Sequence, residues 1–546
     1  MKELHPFDWH ARFPEVFAQG GFDAVVGNPP YVRQEWLGQP LKEHLATRFA
    51  AYHGMADLYV YFYERALQVL RPGGRLAYIV TNKWMKSGYG EPLRRLFSEG
   101  AWVESVVDFG HAKQFFKDAD VFPCFLVARK PDDSPPPIEV TVCVIPRELV
   151  KLDELGPLVA ARGMGVARER LTSDTWNLEP VALNDLIDKI RRNGVALSEY
   201  AECSPLMGIK TGYNEAFLVD TETKDRLVKA DPKSVELFKP YLRGQDIERW
   251  RPEWAGLWMI AIKSSGDHPW PWADRGDDAE ATFAATYPAL FKHFNRFKPE
   301  LVKRQDQGRY WWELRSCAYW DEFAKPKITY QEIQFHPRYA LDPAGRLANN
   351  KAFFIVSDDP FLLGVLNSPL FWWHNWRYLP HMKDEALSPV AYLMESLPIA
   401  TPSDAIRIES DTVTRRLIAI TDIQQLTRRM FLDWLNMEYD VERPTTRLLD
   451  PVSLDGDAFV AEVKKSRGKG PGLSSAALLR LRDEYAQVIV PARPLVAEAL
   501  ALETRLSDLV NAAYGLTPDE VRLIWETAPP RMPIPDPIPR ADDAGP

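Results

Sequence analysis

The sequence predicts an α/β fold in the first part of the chain, an α+β region in the middle and a helical region at the end. Over residues 1–150, short apolar runs that are typical of buried strands alternate with segments of helical periodicity. Aromatic and isolated basic residues are frequent over 201–400, and apolar residues recur at helical spacing after about residue 405. With 546 residues, the chain has room for roughly three domains.

The α/β region begins with the apolar run 22–26, which is predicted to be a buried strand that ends at a stiff Pro-Pro turn. The segments after this turn have the periodicity of helices and strands, in the order helix 56–70, strand 75–81, helix 91–97, strand 102–109 and strand 124–130. A proline-rich loop and the strand-like run IEVTVCVI follow, and the segment NDLIDKIRRN is helical.

The turn Asn28-Pro29-Pro30-Tyr31 is the most informative motif of the chain. It follows the first strand, and the carboxyl ends of strands are where open α/β sheets bind ligands. The Asn28 carboxamide oxygen and the Pro29 carbonyl can accept hydrogen bonds from an NH2 group, while Tyr31 offers a flat face for stacking. Because none of these groups is a strong base, the implied chemistry is the orientation of a nucleophilic nitrogen.

The run FDAVVGNPPYV resembles motif IV of the S-adenosylmethionine-dependent methyltransferases that act on adenine N6. The resemblance implies that Asn28, Pro29, Pro30 and Tyr31 form the catalytic motif. Asn28 and Pro29 would draw electron density toward the target nitrogen, and Tyr31 would stack on a base flipped out of the duplex. The order of predicted elements is similar to the second half of the Rossmann-like methyltransferase sheet. A strand-ending turn with an ordinary Pro-Pro pair is the alternative.

Further segments extend this resemblance through residue 130. Asp57 and Tyr59 lie where motif V of the family helps to hold S-adenosylmethionine, and Asn82-Lys83-Trp84 follows the next strand near the target pocket. The run FKDADVFPCFLVARK resembles motif VIII, in which an aromatic residue packs against the flipped base. Phe122 is the predicted aromatic, with Phe116 or Phe125 as alternatives. At each position, a core aromatic or a solvated loop residue is the competing interpretation.

The resemblance also predicts that part of the methyltransferase fold is missing. In the gamma-type motif order, the glycine-rich cofactor loop lies far upstream of NPPY, yet only 27 residues precede Asn28. A single βαβ crossover needs roughly 30 residues. The segment Gly88-Tyr89-Gly90 is not a substitute, because Leu93 replaces the third glycine of the fingerprint. We therefore expect the chain to expose an apolar strand edge and one face of the sheet. A second polypeptide that carries the cofactor half would cover them. A truncated gene product is the alternative explanation.

Segments between residues 201 and 400 resemble, in order, a TaqI-type target-recognition domain: GIKTGYNEAFLVD, LFKPYLRGQDIERW, RYWWELRSCAYW and KPKITYQEI. Basic side chains in these segments can contact DNA phosphates or a guanine edge. The predicted contacts are Lys210, Lys239, Arg243, Arg249 and Arg315. The alternative for each residue is an ordinary solvated surface position.

Composition excludes several classes of protein. The net charge of -9 argues against non-specific coating of nucleic acid but permits local basic grooves. The four cysteines form no CxxC pair, so neither a disulfide framework nor a metal site is expected, which fits the cytoplasm. No membrane span or signal peptide is predicted. Asp457, Glu462 and Lys464 match a D-x4-E-x-K nuclease pattern, but a helix end explains the run better and no nuclease is expected.

The predicted organisation has five parts: a partial methyltransferase domain 1–150, a connector 151–200, a target-recognition domain 201–400, a helical region 401–527 and a flexible proline-rich tail 528–546. The leading hypothesis is a site-specific DNA adenine-N6 methyltransferase subunit of a restriction-modification or phage-defence system, inactive as an isolated chain. Its expected partners are double-stranded DNA, a cofactor-binding polypeptide and a separate restriction or defence subunit. A non-catalytic DNA-recognition subunit and a protein glutamine methyltransferase are the alternatives. N4-cytosine methyltransferases usually carry Ser in place of Asn28.

Overall fold

The computed structural model describes residues 7–110, 115, 121–145, 150, 153–176, 178–467 and 472–537. The chain forms two compact units, the first comprising Met1–Asp188 and Pro380–Glu385 and the second Lys189–Leu379 and Ala386–Pro546. The predicted mixed α/β class with a helical C-terminal region is confirmed. Of the helices in the described ranges, none has both the length and the apolar character that a membrane crossing requires.

The first unit contains one six-stranded sheet. Its strands are β1 (Phe22–Gly27), β2 (Leu70–Thr81), β3 (Trp102–Asp108), β4 (Pro123–Arg129), β5 (Glu139–Val144) and β6 (Met164–Ala167). Its helices are α1 (Trp9–Arg12), α2 (Pro14–Ala18), α3 (Gln39–Arg48), α4 (Tyr59–Val69), α5 (Lys83–Lys86), α6 (Glu91–Gly100) and α7 (Leu155–Arg162), and α8 (Val181–Arg192) follows.

The strand order in this sheet is β1-β2-β4-β3-β5-β6. β1 runs parallel to β2, whereas β4 lies between β2 and β3 and is antiparallel to both. Leu76, Tyr78 and Val80 alternate along β2 and are buried in the main core together with most of α4. β1 is an edge strand, so its carboxyl end lies at the border of the sheet among the described elements.

One strand boundary differs from the sequence prediction, and the packing of one glycine explains why that glycine is present. β2 begins at Leu70, not at residue 75, because Leu70 pairs with Phe22 and the segment Arg71-Pro72-Gly73-Gly74 continues the strand. Gly90, in the rejected fingerprint, is buried against α5, where an added Cβ would collide with the carbonyl of Trp84. Packing therefore accounts for this glycine.

The described residues of the second unit form three small sheets and a larger number of helices than those of the first unit. Its strands are β7 (Gly194–Ala196), β8 (Leu206–Met207), β9 (Leu218–Val219), β10 (Phe238–Leu242), β11 (Trp258–Ile260), β12 (Lys327–Gln331), β13 (Tyr339–Asp342), β14 (Leu347–Ala348), β15 (Ala352–Ile355) and β16 (Pro398–Ala400). They form sheets in the orders β14-β10-β11-β9, β13-β12-β15-β8 and β16-β7.

The helices of the second unit range from single turns to ten turns. They are α9 (Leu197–Tyr200), α10 (Asn214–Phe217), α11 (Thr221–Ala230), α12 (Ala279–Thr286), α13 (Pro288–Asn295), α14 (Lys298–Leu301), α15 (Pro360–Leu366), α16 (Pro369–Tyr378), α17 (Ala391–Met394), α18 (Asp404–Tyr439), α19 (Gly456–Ser466), α20 (Ser475–Glu484), α21 (Arg493–Ala513) and α22 (Pro518–Glu526). The sequence predicts one helix over the apolar run 362–373, LLGVLNSPLFWW. The run lies instead in two helices, α15 and α16, because Ser368 caps α16 and Pro369 occupies its first turn.

The beginning of the proline-rich tail is packed, contrary to the expected flexible tail from residue 528. Ile534 is 4% exposed, and the carbonyls of Pro530 and Pro533 accept hydrogen bonds from the side chains of Trp372 and Arg249. Proline carbonyls remain good acceptors although the residue has no N–H. An extended proline-rich segment can therefore be fixed by side chains of a folded surface.

Candidate functional site

The NPPY turn lies directly after β1, at the same end of the sheet as the end of its parallel neighbour β2. Pro29 is buried, whereas Asn28 and Pro30 are exposed. The Asn28 carboxamide makes no hydrogen bond with any residue that the structure describes. The turn thus combines a rigid, anchored proline with a carboxamide that is open to a ligand.

Tyr31 is held from two sides. Its hydroxyl donates a hydrogen bond to the Ile79 carbonyl on β2 at 3.2 Å, and its ring meets the ring of Tyr59 edge to face at 6.3 Å. Burial, together with the nearby Cys124 thiol, raises the pKa of Tyr31, so the phenol stays neutral and keeps its proton as a donor. The ring position is therefore set by the sheet below it.

The two residues predicted to hold the cofactor differ in accessibility. The Asp57 carboxylate is half-buried and accepts a hydrogen bond from the Gln34 N–H at 2.9 Å. Burial raises the pKa of Asp57, while the Gln34 hydrogen bond and the Lys83 ammonium act in the opposite direction. Tyr59 is fully buried, and its hydroxyl lies 3.0 Å from that of Tyr89. Tyr59 thus supports Tyr31 and has no surface of its own for a ligand.

The predicted stacking aromatic, Phe122, immediately precedes β4 and is 7% exposed. The Phe122 carbonyl accepts a hydrogen bond at 2.7 Å from the N–H of Asn82, the residue that follows β2. Of the alternatives, Phe125 packs with Val107 and Cys143 in a separate cluster, and Phe116 lies outside the described residues. Of the two candidates that the structure describes, Phe122 is therefore the one that lies next to the loop after β2.

One side of β1 carries apolar side chains that the described residues do not cover. Val26 is 77% exposed, and Ala24 is exposed as well. Val26 pairs with Ala77 on β2, which is only partly buried, as is Ile79 two residues further along that strand. We call Ala24, Val26, Ala77 and Ile79 the β1 flank. Val25, which points the other way, packs against the main core.

The five basic residues predicted to contact DNA have different surroundings in the second unit. Lys239 is exposed. Lys210 and Arg315 both pair with Asp306, at 2.8 and 3.4 Å. Arg243 is partly exposed and pairs with Asp246 at 2.7 Å.

Arg249 is held by the protein itself. Its guanidinium lies 2.6 Å from the Glu503 carboxylate and donates a hydrogen bond to the Asn367 carbonyl at 2.9 Å. The side chain is 20% exposed. Its guanidinium therefore stabilises the fold, and the predicted phosphate contact would require breaking these bonds.

The D-x4-E-x-K pattern lies in α19 and its carboxylates do not converge. Asp457 pairs with Arg482 at the start of the helix, and the buried Glu462 accepts a hydrogen bond from Thr445 Oγ1 at 2.6 Å. A metal-dependent nuclease would need these groups around one cation. Within the described ranges, no three His, Cys, Asp or Glu side chains are grouped so that they can hold a metal ion.

Models of known families match three parts of the chain. Residues 1–116 match the Eco57I restriction-modification methylase, residues 239–399 match the TaqI-like C-terminal specificity domain, and residues 403–510 match a domain of unknown function. The first match contains the NPPY turn and the β1 flank, and the second contains four of the five basic residues. The sequence-predicted site residues thus fall largely within the matched segments.

The relatives of this chain include Type II methyltransferases. M.XhoI of Xanthomonas vasicola is 28% identical over 352 residues, which are 62% of this chain and 60% of that protein. M.PaeR7I of Pseudomonas aeruginosa is 27% identical over 354 residues, which are 62% of this chain and 57% of that protein. The chain thus matches less than two thirds of the length of either relative.

Among solved structures, the Type IIL restriction-modification enzyme MmeI in complex with DNA is similar, with a TM-score of 0.53 and 14% identity. The likeness covers 92% of this chain and 56% of that chain, and at this identity it concerns the fold alone. Together, the matches relate the chain to a restriction-modification methylase in its first part and to a TaqI-like specificity domain in its middle part. The chain is therefore similar to Type II restriction-modification methyltransferases, with a methylase segment first and a TaqI-like specificity domain after it.

Proposed function

We propose that this chain forms the target-base side of a site-specific DNA adenine-N6 methyltransferase in a restriction-modification or phage-defence system. One observation carries the proposal: the NPPY turn presents the open Asn28 carboxamide beside a Tyr31 ring that is fixed by Ile79 and Tyr59. This arrangement supports recognition of an aromatic ring that bears an NH2 group. Adenine in DNA has both features, and its amine becomes accessible when the base is flipped out.

The residues of the turn have complementary roles in the proposed reaction. The carbonyl oxygens of Asn28 and Pro29 accept the two amine hydrogens, which fixes the plane of the amine and increases electron density on its nitrogen. Tyr31 stacks on the base and holds it at the edge of the sheet. No group of the turn is a strong base, so the proton that the nitrogen loses passes to solvent after the transfer. Positioning is therefore the main contribution of this chain.

S-adenosylmethionine is the proposed methyl donor, and when bound it supplies the methyl group that the amine nitrogen receives. The described residues fit only part of this cofactor. Asp57 offers a half-buried acceptor, but the loops after β1 and β2 are NPPY and NKW, and neither is rich in glycine. A glycine-rich loop lets the backbone approach a cofactor closely. Asp57 is therefore the proposed contact with the cofactor on this chain.

A second polypeptide with the rest of the cofactor site is the proposed partner. The first supporting observation is that β1, a strand with a parallel neighbour, is an edge strand of the described sheet. The second is the exposed β1 flank, with Val26 at 77% exposure. Parallel strands normally have both faces covered and exposed apolar edges promote association. A strand of the partner added beside β1 would pair with the strand edge, and a helix of the partner would cover the apolar side chains of the β1 flank.

The second unit is the proposed reader of the DNA site. Support comes from the TaqI-like specificity match over 239–399 and from the exposed basic side chains of Lys239, Lys210 and Arg315. Such side chains can position the duplex through its phosphates, while base edges in a groove determine the sequence that is read. Arg243, partly exposed beside Asp246, is the remaining proposed contact.

Methyl transfer in the presence and absence of the cofactor-binding polypeptide tests the proposal. The purified chain, alone or with the product of the adjoining upstream reading frame, is incubated with tritiated S-adenosylmethionine and bacterial genomic DNA. We expect label in DNA as N6-methyladenine with the pair and none with this chain alone. Asn28→Ala should abolish transfer while the pair still binds DNA, as measured by fluorescence anisotropy. Transfer that is unaffected by Asn28→Ala would contradict the assigned role of the turn.

A non-catalytic DNA-recognition subunit is the second candidate, favoured by the partial fit to the cofactor. The same assay separates the two functions, because a recognition subunit would bind DNA with its partner and yield no labelled adenine. Label in protein glutamine, detected by hydrolysis and chromatography, would support the third function predicted from the NPPY turn.

A further inference from the structure

Two side chains connect strands that are not neighbours in the first sheet. Asn82 follows β2, and Asp108 ends β3, with β4 between the two strands. The Asn82 Nδ2 group nevertheless lies 3.0 Å from both Asp108 carboxylate oxygens. Since neighbouring strands are about 4.8 Å apart, the two side chains together span roughly twice that distance. They therefore cross the beginning of β4.

The backbone around this crossing is fixed at the same points. The Asn82 N–H donates a hydrogen bond to the Phe122 carbonyl at 2.7 Å, and the Phe109 N–H donates one to the Pro123 carbonyl at 3.1 Å. Thus the segment that enters β4 is bound by one strand end on each side. Asn82 contributes to both connections, with its backbone to Phe122 and its side chain to Asp108.

The loop after β3 completes the arrangement. Gly110 has φ +53°, a conformation that favours glycine, and its N–H returns to the Asp108 carboxylate at 2.9 Å. The carboxylate therefore accepts hydrogen bonds from a backbone N–H and a carboxamide NH2 group. Burial raises the pKa of Asp108, whereas these two hydrogen bonds and the Lys86 ammonium act in the opposite direction. The Asn82 carboxamide oxygen, in contrast, has no donor within the part of the chain that the structure describes.

We propose that Asn82 is a positioning residue of the target-base pocket, which fixes Phe122 through its pairing with Asp108. This inference rests on the proposed function, in which Phe122 packs against the flipped adenine. We call the pair the Asn82–Asp108 clasp. The clasp holds the backbone of Phe122 at the carboxyl ends of β2 and β3. Tyr31 is bound near the same end of β2, through the carbonyl of Ile79. The stacking ring is thereby placed before the base arrives.

The same two strands carry a matched control at their other end. Arg75 on β2 and Glu104 on β3 also connect across β4, with contacts of 2.7 and 3.1 Å. Arg75 is 59% exposed, and the pair lies far along the strands from Asn82. Glu104→Gln therefore weakens a polar connection between the same strands without changing the end of the sheet that carries the pocket.

Amide hydrogen exchange of the DNA-free chain tests the clasp directly. Asn82→Ala and Asp108→Asn should accelerate exchange of the amides at 82 and 109 by about tenfold, because these amides bond to the carbonyls of Phe122 and Pro123. Asn82→Asp places two carboxylates together and should have the largest effect. The double variant Asn82→Asp/Asp108→Asn reverses the donor and the acceptor and should restore slow exchange, which would assign the effect of the single variants to the hydrogen bond between these two side chains.

Methyl-transfer kinetics with the cofactor-binding polypeptide test the consequence. Asn82→Ala should lower kcat at least tenfold with little change in KM for DNA, the double variant should recover most of kcat, and Glu104→Gln should leave it within about twofold. The inference is overturned if Glu104→Gln lowers kcat as much as Asn82→Ala, or if exchange at 82 and 109 is unchanged in Asn82→Ala. Absence of methyl transfer by the unmodified pair would instead contradict the proposed function, and the exchange experiment would still decide on the clasp.

Discussion

Tyr31 combines the proposed stacking face with internal contacts to Ile79 and Tyr59. The hydroxyl binds the Ile79 carbonyl, and the ring edge meets Tyr59, so the hydroxyl and the ring make separable contributions. The stacking role of Tyr31 is predicted from the resemblance of the NPPY run to motif IV. The resemblance did not predict the supporting contacts, which come from residues 28 and 48 positions later in the chain.

Substitutions of Tyr31 should separate these contributions. Tyr31→Phe removes the hydrogen bond to Ile79 and should destabilise the fold by about 1 kcal/mol, with methyl transfer retained within about threefold. Tyr31→Ala removes the stacking face and should lower kcat/KM about 10- to 100-fold, as expected for a base-stacking contribution of about 1–3 kcal/mol. Urea unfolding and tritium transfer measure the two effects. Equal loss of transfer in both variants would assign the role to the hydroxyl.

Substitution by alanine should lower the stability of the protein at Arg249 and its affinity for DNA at Lys239. Arg249→Ala leaves Glu503, 13% exposed, without its ion-pair partner and should destabilise the protein by about 3 kcal/mol in urea unfolding. Lys239→Ala changes an exposed side chain, so it should alter stability by less than about 0.5 kcal/mol and weaken DNA binding instead. Weaker DNA binding by Arg249→Ala at unchanged stability would restore the phosphate contact predicted from the sequence.

At the level of elements, patterns within one segment were predictable and pairings between segments were not. The strand 102–109 was predicted from its apolar run and is β3, Trp102–Asp108. β2 extends to Leu70 because of its pairing with Phe22, a partner 48 residues earlier that no local pattern identifies. The Asn82–Asp108 clasp was missed for the same reason, since the strand order places β4 between its members.

Some differences had a signal in the sequence. The dipeptide Ser368-Pro369 is a typical start of a helix, yet the apolar run 362–373 was predicted as one helix. The proline-rich segment after residue 528 was predicted to be flexible from composition alone. Its packing depends on donors from Trp372 and Arg249, which only the tertiary fold brings to the carbonyls of Pro530 and Pro533.

The exposed β1 flank leads to a prediction for strand β1. Val26→Lys places a charge on a side chain that is already 77% exposed, so the isolated chain should keep its stability. Pairing with the proposed cofactor-binding polypeptide should be lost, because a lysine on an edge strand opposes the addition of a further strand. Co-purification and methyl transfer measure the effect. Ile138→Lys, at a position 82% exposed just before β5, is the matched control and should retain both. Equal loss in the two variants would contradict docking at β1.

At the scale of the whole molecule, the acidic net charge and local ion pairs both oppose the proposed DNA binding. The chain carries a net charge of -9, so its long-range field repels DNA. Several basic side chains of the second unit are further neutralised by carboxylates. Asp306 is the clearest case, because it pairs with both Lys210 and Arg315 while these two side chains remain about half exposed.

Asp306→Asn should release these two cations for DNA. We expect tighter binding to a non-specific duplex of about 30 base pairs at low salt, and a slope of log affinity against log salt that is steeper by about 0.9 for each phosphate gained. Fluorescence anisotropy at several sodium chloride concentrations measures both quantities. Asp519→Asn is the matched control, because it changes the net charge equally but removes only an exposed pair with Arg522. If both variants tighten binding equally, net charge explains the effect. A larger change in Asp306→Asn alone would place Lys210 and Arg315 at the DNA surface.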